Sequence, residues 1–300
     1  MKVLNTIPNL SENTAVAMGL FDGVHIGHKS VIETAVKSGY LPIVFTFSVK
    51  TQFPVKKNGM LLLNTKNVKY DLLEKLGVQL VVEPPFEDIK EISAKDFVCV
   101  YLLKKLHAKM VVCGENFHFG KDALGGQELL KKLASKLGIK VNVVSSAIYD
   151  GEVVSSSRVR KAIAVANLQT VRGMLGYDYF WEYEVVSGDK NGRKIGYPTI
   201  NQHFPVGYIV PKRGVYASKV NVGGNIYLGV TNIGVRPTLN KLENPIAETY
   251  IINYSGKPLY NENIRVSINK YLREEKKFGS IDELKREISK NVLEASNQSV

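Results

Sequence analysis

Two imidazoles three positions apart, His25 and His28, close the string Gly19-Leu20-Phe21-Asp22-Gly23-Val24-His25-Ile26-Gly27-His28. An apolar run that reads as a buried strand leads into it, and an amphipathic stretch that reads as a helix leaves it. Glycines let backbone approach a phosphate closely, and a helix start offers free N–H groups at the positive end of its dipole. Both rings can face that phosphate. The chemistry that suits them is nucleotidyl transfer, in which an acceptor phosphate attacks the α-phosphorus of a nucleoside triphosphate. Such a displacement needs positioning and charge neutralisation more than covalent catalysis. Alone, an H-x-x-H pair fits a metal or core role equally well. The complete string at a strand–helix junction favours the phosphate.

Further groups lie downstream. Ser155-Ser156-Ser157-Arg158-Val159-Arg160 places hydroxyls and guanidinium groups at a second helix start, where they can hold phosphate oxygens, although a capping serine with an exposed arginine is the simpler reading. Gly114-Glu115-Asn116-Phe117-His118-Phe119-Gly120 follows a strand-like run and on its own fits a buried aromatic turn. The stretch Gly188-Asp189-Lys190-Asn191-Gly192-Arg193-Lys194-Ile195-Gly196-Tyr197-Pro198-Thr199-Ile200-Asn201 is rich enough in glycine to wrap nucleotide phosphates in its backbone. The cysteines, Cys99 and Cys113, form no C-x-x-C and have no His pair nearby, which speaks against a disulfide scaffold or zinc site and suits a reducing compartment.

The elements that must carry these groups fall into two rhythms. Residues 15–20, 41–47, 80–82, 110–113 and 141–144 read as strands, alternating with helices over 28–38, 68–76, from Ser93 and over 127–137. Ser93 is an N-cap candidate with Asp96 three residues on. This alternation, with continuous apolar strands, predicts a Rossmann-like parallel α/β sheet covered on both faces. Two short helices follow, at 157–165 and 168–175. Beyond Gly176 come strands over 180–186, 214–222, 225–234, 247–254 and 263–271, with Gly223-Gly224 marking a hairpin. No helix is expected among them until 280–295. That order predicts a small antiparallel β-barrel with a terminal helix, and domains of 1–176 and 177–300.

A chain of 300 residues suits two domains of roughly 100–200 residues each. With 44% apolar and 23% charged residues it is neither disordered nor fibrous. No apolar run approaches the ~20 residues that cross a bilayer, and the polar N-terminus lacks a signal-peptide core, so a soluble, cytoplasmic protein with no membrane partner is expected. The net charge of +12 fits a handler of polyanionic nucleotides as well as a nucleic-acid binder. Most lysines fall in helix-like stretches such as 102–109 and 129–140, where they read as solvated faces rather than a nucleic-acid surface.

Together these strings resemble the H-x-G-H nucleotidyltransferases and, within them, the prokaryotic bifunctional riboflavin kinase/FAD synthetases. The serine–arginine string resembles the superfamily's S-S-T-x-I-R motif, with Ser157 for Thr and Val159 for Ile, and Pro198-Thr199-Ile200-Asn201 matches the family's P-T-x-N. The resemblance makes His25 and His28 catalytic in adenylyl transfer. It places Gly19, Phe21, Asp22, Gly27, Ser156, Ser157 and Arg160 on the nucleotide, and Asn116 on the flavin. For the kinase it makes Glu248 the general base on the ribityl 5′-hydroxyl, Thr199 and Asn201 the Mg2+ ligands, and Gly188, Gly192, Arg193 and Asn201 nucleotide-binding. Arg273, in Leu272-Arg273-Glu274-Glu275-Lys276-Lys277-Phe278, would sit over flavin and nucleotide.

The resemblance thus implies phosphorylation of riboflavin by ATP to FMN, then adenylylation of FMN by a second ATP to FAD and pyrophosphate, with Mg2+ in both halves. Two other readings are a kinase whose adenylyltransferase half is degenerate, and a flavin- or nucleic-acid-binding regulator without turnover. Intact His25, His28, Arg160 and Glu248 argue against the regulator. One departure bears on the first alternative. Where the family reads T-F-D-P-H-P, this chain has Thr46-Phe47-Ser48-Val49-Lys50-Thr51. Without the two prolines the segment costs more to order around substrate, and FAD formation is expected to be the weaker activity.

Overall fold

The computed structural model of the chain describes residues 1–48, 61–188, 191–236 and 244–297. Two compact units share them. One comprises Met1–Met60 and Lys66–Ser156, the other Leu61–Thr65 and Ser157–Val300.

The first unit is built on a parallel sheet of β1 (Lys2–Leu4), β2 (Thr14–Met18), β3 (Leu41–Phe45), β4 (Leu80–Val82), β5 (Ala108–Gly114) and β6 (Lys140–Val144), in the order β1-β4-β3-β2-β5-β6. Alternate residues of one strand bury on opposite faces. Val16, Ile43, Val111 and Cys113 join one apolar cluster, and Ala15, Ala17, Val44 and Val112 join the other. Burial on both sides is why these strands read as unbroken apolar runs. The sequence predicts five of the six strands. β1 escapes it because an edge strand of three partly exposed residues has no period to show.

Helices α1 (Ile26–Val36), α2 (Lys66–Lys75), α3 (Ala94–Asp96) and α4 (Gln127–Ser135) connect the strands. Ser93 caps α3 as predicted, its Oγ accepting from the Asp96 N–H at 3.0 Å. The chain then runs on as a π-helix over Phe97–Lys105. Strand order reverses between β2 and β5. In an open α/β sheet that crevice, beyond the strands' carboxyl ends, is where ligands bind.

After a short hairpin of β7 (Ile148–Tyr149) and β8 (Glu152–Val153) come α5 (Ser156–Ala164) and α6 (Leu168–Leu175). Gly176, at φ +79°, ends α6 in the left-handed region. The second unit's sheet is antiparallel: β9 (Phe180–Glu184), β10 (Thr199–His203), β11 (Gly214–Val222), β12 (Asn225–Arg236), β13 (Asn244–Ile251) and β14 (Asn263–Arg273), in the order β10-β13-β12-β11-β14-β9. Gly223 and Gly224, at φ +56° and +88°, make the predicted β11–β12 hairpin.

The two edges of this sheet meet. Val186 bridges to Asn201, and the buried Gln202 fastens the seam. Its Nε2 donates to the Tyr183 and Ile264 carbonyls at 2.6 and 2.8 Å, and its Oε1 accepts from Trp181 Nε1 at 2.9 Å. The result is the predicted barrel, nearly closed. One expectation fails here. A short helix, α7 (Asn191–Lys194), interrupts the strands within the glycine-rich stretch. It is a single turn, too brief for any apolar period. The terminal helix α8 (Ile281–Ser296) is capped by Ser280, whose Oγ accepts from the Glu283 N–H at 3.2 Å.

Candidate active sites in the two units

Strand β2 ends at Met18, and the next turn is strained. Phe21, Gly23 and Val24 have φ of +55°, +81° and +36°, a conformation that costs most at the β-branched Val24. It delivers His25 as the N-cap of α1, with Nδ1 accepting from the His28 N–H at 3.3 Å. The two rings stack at 3.6 Å and 16°, and the Phe21 ring meets His28 edge-on at 5.3 Å. Gly19 and Gly27 lie against this cluster. A Cβ on Gly19 would stand 3.1 Å from the Phe21 ring, and one on Gly27 would stand 3.3 Å from that of His25.

Burial dominates the electrostatics. It pushes the His25 pKa down to about 4 and, joined by repulsion from His25, holds His28 well below the ordinary imidazole range. Both rings are therefore neutral at pH 7 and act through hydrogen bonds rather than as cations. His28 Nδ1 is buried with no partner among the described residues.

Asp22 is buried, and its carbonyl accepts from Ser156 Oγ at 2.8 Å, so the second motif starts against the first. Ser157 and Arg160 fall in the second unit. Ser157 is exposed there, and Arg160 Nε donates to the Leu61 carbonyl. Asn116 is exposed in the turn that leaves β5, beside the strand that leads to His25. The Phe117 and Phe119 rings stack at 5.8 Å next to it, and the Glu115 carboxylate accepts from the Ser146 N–H at 2.9 Å.

In the second unit, register assembles the site. Glu248 on β13 stands opposite Asn201 on β10 and Asn232 on β12. Side chains alternate along a strand, so Tyr250 shares the face of Glu248, while Thr249 points the other way and bonds Thr231 at 2.9 Å in the interior. A cavity of about 640 Å³ lies on the Glu248 face, lined by Thr199, Asn201, Glu248 and Arg273 together with Gly192. Gly188 is not among the lining residues, but it and Gly192 are both sterically required. A Cβ on Gly188 would stand 2.6 Å from Asn201 Nδ2, and one on Gly192 would stand 2.3 Å from the Tyr197 carbonyl oxygen. Arg193 is exposed and is not among the lining residues.

The sequence missed three contributors to this cavity. Asn232 and Glu275 line it and touch each other, with Asn232 Nδ2 donating to Glu275 Oε1 at 3.4 Å. Helix α8 supplies a wall of Leu284, Ile288 and Asn291. The four-residue apolar repeat marked this helix, but periodicity does not say whether a face meets a core or a cavity. Tyr197 ties the loop before Thr199 to α8, its hydroxyl 2.7 Å from Ser289 Oγ. Of the segment expected to border the first site, from Ser48 to about Asn64, residues 49–60 lie outside the described residues, as do Asp189, Lys190, Pro237 and Thr238, while 61–64 fall in the second unit.

An FAD synthetase family model matches residues 7–158, and a riboflavin kinase model matches residues 175–299. A bifunctional riboflavin kinase/FMN adenylyltransferase from Buchnera aphidicola subsp. Schizaphis graminum is 31% identical over 97% of this chain and 97% of its own. One from Bacillus subtilis is 32% identical over 94% and 91%. A crystal structure titled as a macrolide-efflux protein from Streptococcus pneumoniae has a TM-score of 0.87 and 25% identity, covering 99% of each chain. No helix among the described residues here is long and apolar enough to cross a membrane. The chain belongs to the family of bifunctional riboflavin kinase/FMN adenylyltransferases.

Proposed function

We propose that this chain makes FAD in two steps, one centred on the barrel and one on the parallel sheet. Riboflavin and ATP give FMN and ADP in the barrel. FMN and a second ATP then give FAD and pyrophosphate on the parallel sheet. The observation that carries the reading is the pairing of Glu248 with Asn201 and Asn232 across three strands, facing a cavity that also takes in Thr199.

In the kinase step Glu248 accepts the proton of the ribityl 5′-hydroxyl as that oxygen bonds the γ-phosphorus and ADP departs. A carboxylate within hydrogen-bond reach is sufficient when the phosphoryl transition state is loose. Gly188, Gly192 and Arg193 belong to the loop assigned to the nucleotide. The oxygens of Thr199, Asn201 and Glu248 are hard donors but few. They fit Mg2+ bound beside phosphates and water, not an all-protein cage. When bound, Mg2+ supplies neutralisation of phosphate charge.

In the second step an FMN phosphate oxygen attacks the α-phosphorus of ATP, pyrophosphate leaves, and no proton need move. His25 and His28, neutral in the free protein, donate N–H bonds to phosphate oxygens. Gly19, Phe21, Asp22 and Gly27 shape the nucleotide loop, and Ser156, Ser157 and Arg160 take the β- and γ-phosphates. Asn116 reads the flavin from its exposed turn. The two free thiols suit a reducing cytoplasm.

Incubation with riboflavin, ATP and Mg2+, followed by separation of flavins, tests the whole reading. FMN and FAD are both expected. FMN alone would leave only the kinase, and neither product would leave a binding protein.

A further inference from the structure

Arg273 is held from behind. Its Nε donates to Asn291 Oδ1 at 3.1 Å and lies 3.3 Å from Glu287 Oε1, both on α8 and one turn apart. One Nη1 hydrogen goes to the Glu274 carbonyl at 3.0 Å, and the guanidinium carbon stands 5.6 Å from the Phe278 ring centre. Asn291 is only 5% exposed, yet both it and Arg273 line the cavity that holds Glu248. The remaining N–H groups of the guanidinium have no partner among the described residues. A planar fork fixed at Nε and at one Nη1 hydrogen, with its other Nη hydrogens left over, is arranged to meet a carbonyl or anionic oxygen in fixed geometry.

We infer that Asn291, with Glu287, is a positioning residue for the kinase site. It sets the guanidinium of Arg273 so that its free edge meets an acceptor oxygen of the flavin substrate. The inference rests on the kinase reading, in which Arg273 touches substrate. Asn291 itself touches only Arg273 in this role. Its loss should therefore weaken flavin binding while leaving the phosphoryl transfer at Glu248 intact. Glu287 is a shared anchor, since its other oxygen takes Lys276 Nζ at 3.0 Å, so Asn291 is the cleaner position to test.

The test uses the full chain with Asn291→Leu, which keeps the branched outline in a bulkier side chain and removes the acceptor, and Asn291→Asp, which keeps the acceptor. Asn291→Ala serves if the leucine variant does not fold. Riboflavin affinity is read from quenching of its own fluorescence, with kcat and KM for the kinase and Tm measured alongside. Loss of one bond to a charged group should raise the riboflavin Kd and KM about tenfold with kcat changed less than about twofold. Asn291→Asp should return both near wild type, and adenylylation of supplied FMN should not move. Unchanged riboflavin Kd and KM, or a fall in kcat alone, would overturn the inference. So would equal loss in the leucine and aspartate variants that tracks a lower Tm, which marks a purely structural contact. Arg273→Ala separates the two levels: if it leaves riboflavin binding untouched, the reading of Arg273 is wrong and the inference falls with it.

Discussion

Replacing His28 by Ala should abolish FAD formation from FMN and leave riboflavin phosphorylation near normal, because His28 and Glu248 stand in different units. Glu248→Ala should do the reverse, with a loss of about 10²–10⁴-fold in the kinase. Flavin products from riboflavin and from FMN, assayed separately, check both. The same residues set a pH window. Burial brings the His25 pKa from 6.5 down to about 4, so between those values the unfolded chain binds a proton that the folded chain refuses. Stability from this ring is complete above pH 6.5, lost progressively as pH falls, and worth about 3 kcal/mol in full. Glu83 acts lower. Burial raises its pKa, but the charge and hydrogen bond of Lys69, with bonds from Tyr70 and Lys66, outweigh that and hold it below 4.5. Its contribution is present above that value and fades only beneath it. Urea midpoints at pH 7 and pH 5 should therefore differ more for wild type than for His25→Asn. The motif spacing made His25 and His28 legible as a pair. Their neutrality was not legible, because it comes from tertiary burial that no local string encodes.

The elements that position the sites are fixed by close approaches and by a seam. Gly188→Ala puts a Cβ into the Asn201 amide, so the kinase should weaken severalfold while FMN adenylylation holds; paired kinetics on the two reactions decide it. Gln202→Leu would leave the Trp181 N–H without a partner at the barrel seam and take a donor from the Tyr183 and Ile264 carbonyls. Buried groups left unpaired cost about 1–3 kcal/mol each, so thermal unfolding should show a marked drop in Tm. Strong periods and apolar runs revealed ten of these strands and helices α1, α2, α4, α5, α6 and α8 to within a few residues. They did not reveal β1, β7, β8, α7 or β10 as separate elements, since two to five residues carry too little period. The widening of α3 into a π-helix left no mark in the sequence either, because it preserves an apolar face.

At the scale of the molecule, the change of rhythm near Gly176 placed the end of the first domain after α6. Yet α5 and α6 belong to the second unit from Ser157 on, and Leu168, Val171, Met174 and Leu175 of α6 are buried. A fragment beginning at Tyr177 should accordingly be much less stable than one beginning at Ser157, since each buried aliphatic side chain contributes about 1.5–3 kcal/mol. Chemical denaturation of the two fragments side by side tests this; equal midpoints would mean that α5 and α6 are dispensable to the barrel.

The five residues Leu61–Thr65 add a temporal constraint. Leu62 donates to the Gly207 carbonyl at 2.8 Å and accepts from the Ile209 N–H at 2.9 Å, and the Leu63 carbonyl takes the Tyr179 hydroxyl at 3.1 Å. All these partners are translated long after the strap itself. On the ribosome the strap therefore emerges in the midst of the first unit and waits, with its backbone groups in water, until the second unit's chain arrives. The barrel's unit is thus begun before the first unit is complete and finished after it, and a stalled nascent chain ending before residue 207 should expose the strap to proteases that spare it in the full-length protein.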